Sequence, residues 1–422
     1  MAEENPQAKA RTVAVIGAGI VGVATAVWLQ RDGFDVVLID KAGPAEGTSY
    51  GNAGVLASCS IVPVTVPGLM MKAPGMVFDP MSPLFLKWGY VPRLMPWLMR
   101  YMANATVKAN RRVATALTAL LADSLEQHQA LAAGTPAEKW IVPSDYVFVY
   151  TDRATYEGDA YGWGLRKEFG FTWDELDTPA FRDYDPAFGA GYDFAARVPG
   201  HGYVTDPGRH VKDLAAHVVA CGGRLVKAEA RDVAYENGVV VGVDTDQGLV
   251  AADRVVVATG AWSKPLVARL GLDVPLETER GYHIELVEPS VTPRSPVMVA
   301  SGKFVATPMD GRLRCAGIVE FGGLEAAPSK APFDLLLRRI TEALPELKYK
   351  DVVQWMGHRP APSDSIPLIG EVPGKPGVYL GFGHHHVGLT GGAKTGRLIA
   401  DMIAGRKPNI DLSFYDPARF AA

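Results

Sequence analysis

The chain has few cysteines, no uninterrupted apolar run and no excess of positive charge. Its three cysteines (Cys59, Cys221 and Cys315) form no CxxC pair, which excludes a disulfide framework and a cysteine-based zinc site. Forty-two Lys and Arg stand against 46 Asp and Glu, a net charge of −4. That balance argues against nucleic acid as a partner, because phosphate binding wants a clustered positive excess. The most apolar tract, residues 61–102, is broken by Lys72, Asp79, Lys87, Arg93 and Arg100 and by prolines including Pro63, Pro74, Pro80 and Pro96. A spanning helix needs about 20 mostly apolar residues, so this tract does not span. Its Trp88, Tyr90, Trp97 and Tyr101 suit either a buried wall or a surface that touches lipid or a quinone. The opening MAEENPQAKART carries no apolar signal core. We therefore expect a cytoplasmic protein, at most peripheral at the inner face of a membrane.

What is present points to a globular protein of two domains or two interleaved lobes, since 422 residues at 48% apolar and 21% charged exceed one ordinary domain. TVAVI (Thr12–Ile16) reads as a buried strand and runs into Gly17-Ala18-Gly19-Ile20-Val21-Gly22, a GxGxxG. Ile20, Val23, Ala24 and Val27 then recur at helical spacing, and a second strand, DVVLI (Asp35–Ile39), ends at Asp40. Strand, glycine turn, helix, strand and terminal acid in register are the dinucleotide-binding unit. Gly17 permits the turn, Gly19 lets backbone approach a pyrophosphate, and Gly22 lets helix and strand pack closely. The helix N-terminus offers free N–H groups to phosphate, and Asp40 is expected to accept from both adenosine ribose hydroxyls.

Two later segments favour FAD over NAD. The strand Val255-Val256-Val257 ends in the small-residue stop Ala258-Thr259-Gly260. Near the C-terminus, Gly377-Val378-Tyr379-Leu380 reads as a strand, and a glycine-rich turn leads from Gly388-Leu389-Thr390 into a helix through Ala404. A second helix N-terminus at the far end of the cofactor suits the pyrimidine edge of a flavin. No second GxGxxG supports an NADPH-using monooxygenase. Three consecutive histidines, His384 to His386, invite a metal reading, but neighbouring side chains on an extended backbone diverge where a metal wants convergence. We expect no metal.

The segments GAGIVGVATAVWLQRDGFDVVLID, SYGNAG, ATGAW, WMGHRPAPSDSIPLIG and GFGHHHVGLTGG resemble the D-amino-acid oxidase-like superfamily of FAD oxidoreductases. Within it the chain is most similar to the glycine-oxidase and D-amino-acid dehydrogenase branch, and to glyphosate oxidoreductase through PLETERGYHI, SGKFVATPM and AGIVEFGGL. The resemblance implies non-covalent FAD and oxidation of the C–N bond of a D-amino acid or N-substituted glycine. Hydride transfer to flavin N5 would give an imine that hydrolyses to an oxo acid. It implies an α/β fold, with a Rossmann-like FAD-binding lobe (1–60, 200–275, 350–422) interleaved with an α+β substrate lobe (61–199, 276–349) on an antiparallel or mixed sheet. Expected cofactor contacts are Gly17, Gly19, Ile20, Val21, Gly22, Asp40, Lys41, Ser49, Asn52, Gly54, Leu56, Ala230, Gly260, Trp262, Gly388, Leu389 and Thr390. The G-x-R-P motif, Gly357-His358-Arg359-Pro360, makes Arg359 the carboxylate anchor, with Asp364 a structural partner in the alternative.

Tyr282 and His283 could touch the substrate amine or sit in the core, and His384 or His386 is expected to be a flavin or substrate contact. His385 departs from a glycine in the resembling pattern. Lys303 and Arg280 are weaker cationic candidates. Asn110 to Ala133 reads as one long helix and Lys139 to Thr151 as a strand. An oxygen-using oxidase and an electron-transfer subunit without turnover are the alternatives.

Overall fold

The computed structural model describes residues 12–69, 75 and 82–421; the N-terminal segment and Lys72, Pro74, Asp79 and Pro80 of the apolar tract lie outside them. Two large sheets organise the described chain. The first has six strands in the order Leu368–Glu371, Val378–Phe382, Arg254–Val257, Thr12–Ile16, Asp35–Asp40, Arg224–Lys227. All its pairings are parallel except the first, which is antiparallel. Its central strands are covered on both faces, and Val13, Val15, Leu38, Val255 and Val257 are fully buried. That explains their unbroken β-branched character. The helix Ile20–Arg31 links the first two strands and packs on the helix Gly388–Ile403.

The second sheet has a mixed path of eight strands: Asp351–Pro362, Leu276–Val287, Arg312–Phe321, Phe304–Met309, Val297–Val299, Ile141–Tyr150, Phe194–Val204 and Val55–Leu56. Leu84–Leu86 and Asp174–Leu176 pair off this path. The helix Ala331–Ala343 buries Phe333, Leu336 and Ile340 against one face, over Tyr282, Ile284 and Leu313. A three-stranded antiparallel sheet (Ala230–Glu236, Val239–Thr245, Gly248–Ala251) completes a mixed α/β fold. No described helix is long and apolar enough to cross a membrane.

The structure departs from the expected segment boundaries in three places. Asp351–Pro362 pairs with Leu276–Val287 along its whole length, so it belongs to the second sheet although 350–422 was assigned to the FAD-binding lobe. Phe194–Val204 likewise runs through the expected boundary at 199/200. The predicted helix Asn110–Ala133 is two helices, Val107–Leu121 and Ser124–Ala132. Lys394 draws the break toward itself, donating to the Ala119 carbonyl and to Asp123 Oδ1 at 2.8 and 2.7 Å. Both helices pack on Gly388–Ile403, and Ser124–Ala132 also meets Ile141–Tyr150 and Phe194–Val204 of the second sheet.

Burial lowers His128, His210 and His283 to about 3, about 4 and about 3, so each is neutral in the folded protein. The unfolded chain titrates them near 6.5 and therefore binds more protons below that pH. Their contribution is complete above about pH 6.5 and is lost as pH falls toward 4, at up to about 1.4 kcal/mol per pH unit for each group. Asp185 and Glu277, raised by burial, act in the opposite sense at the acid end of this range. Urea unfolding is expected to give a flat midpoint from about pH 8 to 7 and a falling one from about pH 6 to 5.

Candidate active site

The first strand delivers the chain into a turn in which Gly17 N–H donates to the Ile39 carbonyl at 2.7 Å and φ is +101°. A Cβ on Gly22 would stand 1.9 Å from Gly17 O, so only glycine lets the helix close on this turn. Ser49 Oγ accepts from Ile20 N–H at 2.9 Å. The second helix, Gly388–Ile403, starts with no side-chain cap. Both N-termini open into one cavity of about 1500 Å³, larger than a typical small-molecule pocket of about 300–1,000 Å³.

Of the expected cofactor contacts, Gly17, Gly19, Ile20, Val21, Asp40, Lys41, Ser49, Asn52, Gly54, Ala230, Gly260, Trp262, Gly388, Leu389 and Thr390 line this cavity. Gly22 and Leu56 do not; Gly22 acts through packing, and Leu56 is fully buried in the core. Lys41 Nζ lies 5.2 Å from the Trp262 ring centroid, and Trp262 meets His358 edge-on. Asn52 spends its amide on its own loop, accepting from Gly54 N–H and donating to the Ser49 carbonyl.

Asp40 also shapes the turn: its Oδ1 accepts from the N–H groups of both Ala42 and Gly43, and its Oδ2 from Ala18 N–H, all at 2.9 Å. A carboxylate offers about four acceptor sites, so acceptor capacity remains toward the cavity. Two open helix N-termini, a small-residue loop between them and this remaining acceptor fit an extended dinucleotide such as FAD. Asp40→Asn replaces one carboxylate oxygen by a donor, at a cost of about 1–3 kcal/mol. The expected outcome is a folded protein with clearly substoichiometric FAD, read from the ratio of flavin to protein absorbance.

The same cavity continues past Tyr101, Tyr146, Phe148, Arg166, Met298, Lys303, Trp355 and Arg359 to His384, His385 and His386. Arg359 lies across Gly281, where a Cβ would meet its Cζ at 2.5 Å. It donates to the carbonyls of Gly317 and Ile318 at 3.0 and 3.1 Å, which leaves the rest of its five donors for a ligand. Asp364 is not its partner; that carboxylate pairs with Arg419. Tyr282 is part of the wall, but its hydroxyl donates to Glu320 at 2.6 Å, and burial pushes its pKa up to about 12. His283 does not line the cavity; it stacks on Trp355, and its Nδ1 meets the Gly51 carbonyl at 2.8 Å. Arg280 is buried on Glu320 and on the carbonyls of Ala326 and Ala327. His384 lines the cavity with its Nε2 on Thr395 Oγ1, and burial lowers it to about 4. Cys315 is fully buried in the strand Arg312–Phe321.

Sequence reasoning missed Arg166, took Glu279 only as the first residue of the candidate segment Glu279–His283 with no role of its own, and placed Tyr101 only in the apolar tract. Glu279 stands opposite Arg359 in the strand register and lies 2% exposed. Its Oε1 meets His385 Nε2 at 2.9 Å, and its Oε2 lies 3.7 Å from His386 Nδ1. Burial alone would raise its pKa, but the neighbouring imidazoles of His385 and His386, the His385 hydrogen bond and the Arg359 charge prevail and hold it at about 2. The donor atoms of Glu279, His385 and His386 lie within 4.8 Å of one another. Ligands at 2.0–2.1 Å on one tetrahedral metal would sit about 3.3 Å apart, so the 2.9 Å contact is a hydrogen bond. His385 takes φ +53°, a conformation that suits the glycine of the resembling pattern.

Comparison with known proteins agrees with this geometry. The family described as FAD dependent oxidoreductase (DAO) matches residues 12–402. A D-amino-acid oxidase of Bradyrhizobium diazoefficiens is 39% identical over 417 residues, covering 97% of this chain and 99% of the relative. A D-amino acid dehydrogenase of Rhizobium rhizogenes is 29% identical over 425 residues, covering 97% and 99%. Among solved structures, glycine oxidase from Geobacillus kaustophilus superposes with a TM-score of 0.74 at 22% identity, covering 97% of this chain and 99% of that one. An L-amino acid deaminase from Proteus vulgaris gives 0.72 at 20%, covering 99% and 96%. The extent of the family match, together with the glycine turn and the second helix N-terminus in one cavity, makes the chain a member of the FAD dependent oxidoreductase family.

Proposed function

We propose that the protein oxidises the C–N bond of an amino acid or N-substituted glycine. The observation that carries this reading is Arg359: a half-buried guanidinium with unspent donors in the cavity that the second helix N-terminus also enters. Such a group is always charged and bidentate toward carboxylate. It would hold the substrate carboxylate and so orient the Cα–H. FAD, bound non-covalently, supplies the two-electron hydride acceptor. Tyr146, Phe148, Met298 and Trp355 form an apolar wall that keeps water from the reacting carbon and receives the side chain. The imine product then hydrolyses in water to an oxo acid. The names of the D-amino-acid oxidase and D-amino acid dehydrogenase relatives support this class.

Anaerobic bleaching of the flavin band by D-amino acids, L-amino acids, sarcosine, proline derivatives and glyphosate tests the reading. Bleaching by one class is expected, and a bound flavin that none of them bleaches would sink it. Arg359→Ala is expected to lower the second-order rate of bleaching a hundredfold or more, about 3 kcal/mol or above, as when a buried charge pair loses a member. An equal loss with a substrate amide, which lacks the carboxylate, would count against the anchor.

A second observation bears on the electron acceptor. Trp88, Met95 and Met99 are 62%, 41% and 68% exposed, all within the tract 61–102. Such a cluster of apolar side chains suits contact with a membrane surface or its quinone. Three free cysteines suit a reducing compartment, hence a cytoplasmic protein at the inner face. Sedimentation with anionic liposomes and faster reduction of a quinone than of oxygen are expected. Fast peroxide formation without liposome binding would remove this part of the reading.

A further inference from the structure

We propose that His386 takes a proton from the substrate's ammonium group and that Glu279 holds the charge this creates. The proposal rests on the amino-acid reading above, because only such a substrate brings a protonated amine into the cavity. The chemical need is plain: Cα–H can leave as hydride only when the nitrogen lone pair is free, yet an amino acid at neutral pH carries that lone pair protonated.

The geometry points to His386 for three reasons. It is open to the cavity, with 36% of its side chain exposed, whereas His385 beside it is buried. Its Nδ1 lies 3.7 Å from Glu279 Oε2, beyond hydrogen-bond reach in the free protein but on the side from which a hydrogen on Nδ1 would meet the carboxylate, and we take Nε2 as the acceptor. Glu279 Oε2 is itself a buried carboxylate oxygen without a hydrogen-bond partner among the described residues, an arrangement that costs free energy until a donor reaches it. A proton arriving at Nε2 makes the ring a cation and turns the 3.7 Å contact into a charge-assisted hydrogen bond. Carboxylate, imidazole and a proton donor thus stand in the order in which a buried acid orients a histidine base.

The charged groups around His386 make this basicity depend on the substrate. Glu279 faces it from Leu276–Val287, Arg359 from Asp351–Pro362, and His385 from its own turn. Tyr101, from the helix Val91–Ala103, brings a buried hydroxyl under the influence of Glu279, and burial keeps it protonated. In the free protein, burial, His385 and Arg359 together outweigh Glu279 and keep His386 neutral, hence able to accept. A substrate carboxylate on Arg359 offsets that positive charge and leaves the pull of Glu279 to dominate. The balance is simple. One N–H bond of the ammonium breaks, one N–H bond forms at His386 Nε2, and the amine keeps the electron pair. The proton leaves to water when product departs.

The test is the pH dependence of anaerobic flavin reduction by whichever amine bleaches the wild type, read as limiting rate over dissociation constant in wild type and His386→Asn. Without an acceptor the variant must wait for substrate that arrives neutral. Its value is expected to fall about tenfold more per pH unit than wild type below the amine pKa, and to meet wild type above it. A second readout needs no turnover: binding of α-aminoisobutyrate, which has no Cα–H, by calorimetry in two buffers of different ionisation heat. Wild type is expected to retain the proton and the variant to release about one to the buffer. Parallel pH profiles, or equal proton counts, overturn the assignment. Should His386→Asn lose its FAD, Glu279→Gln, nearly isosteric, decides it by showing the same low-pH loss in smaller degree or none. A wild type reduced by no amine brings down the amino-acid reading itself, whereas a wild type reduced normally with parallel profiles brings down His386 alone.

Discussion

The antiparallel pairing of Leu276–Val287 with Asp351–Pro362 is the constraint on which the substrate end of the cavity depends. Twelve consecutive residues face twelve in unbroken register. Because side chains alternate across a strand, a slip of one residue would turn every one of them to the other face. This register sets Glu279 opposite Arg359 and Gly281 opposite Gly357 on the face that meets the cavity. It sends Tyr282 to the other face, under Phe333. Gly281 then leaves the space in which the Arg359 guanidinium lies.

Buried charge in the second sheet holds the loop that follows Asp40. Glu285, fully buried, binds Arg314 and Arg312, and Arg314 donates in turn to the carbonyls of Tyr50 and Asn52. That chain of contacts ties the Ser49–Gly54 loop, which touches the first helix through Ser49, to the second sheet. A buried ion pair contributes little net stability by itself. Here its role is positional: removing either partner strands a charge beside the cofactor loop. Glu279 with His385 uses the same physics closer to the reacting atoms, where an anion is kept ionised in a buried place by neighbouring cationic and imidazole groups.

Much of the cofactor half was legible from residues alone because it is local. The glycine turn, its helix and Asp40 fall within about 30 residues, and each needs only its neighbours to take shape. Arg359 was legible through a short motif. The His384–His386 turn was visible but not decipherable, because which ring faces the cavity depends on Glu279, more than a hundred residues away in the chain. Arg166 carried no signal and Tyr101 only that of an aromatic in an apolar tract: each sits in an ordinary helix, and only packing turns it toward the cavity. The split of the expected long helix at Ala122 and Asp123 came from Lys394, also remote in sequence.

Sequence by itself determined the dinucleotide unit and the return to a second helix N-terminus, because spacing over a few tens of residues specifies backbone shape and dipole direction. Tertiary structure alone decided that Asp40 accepts from three backbone N–H groups, that His283 stacks on Trp355 away from the cavity, and that a carboxylate stands between two histidines near Arg359. The physical reason is range. Turns and helix ends are settled by short stretches of chain, whereas the charge state and direction of a buried side chain are set by whichever distant groups the sheets bring against it.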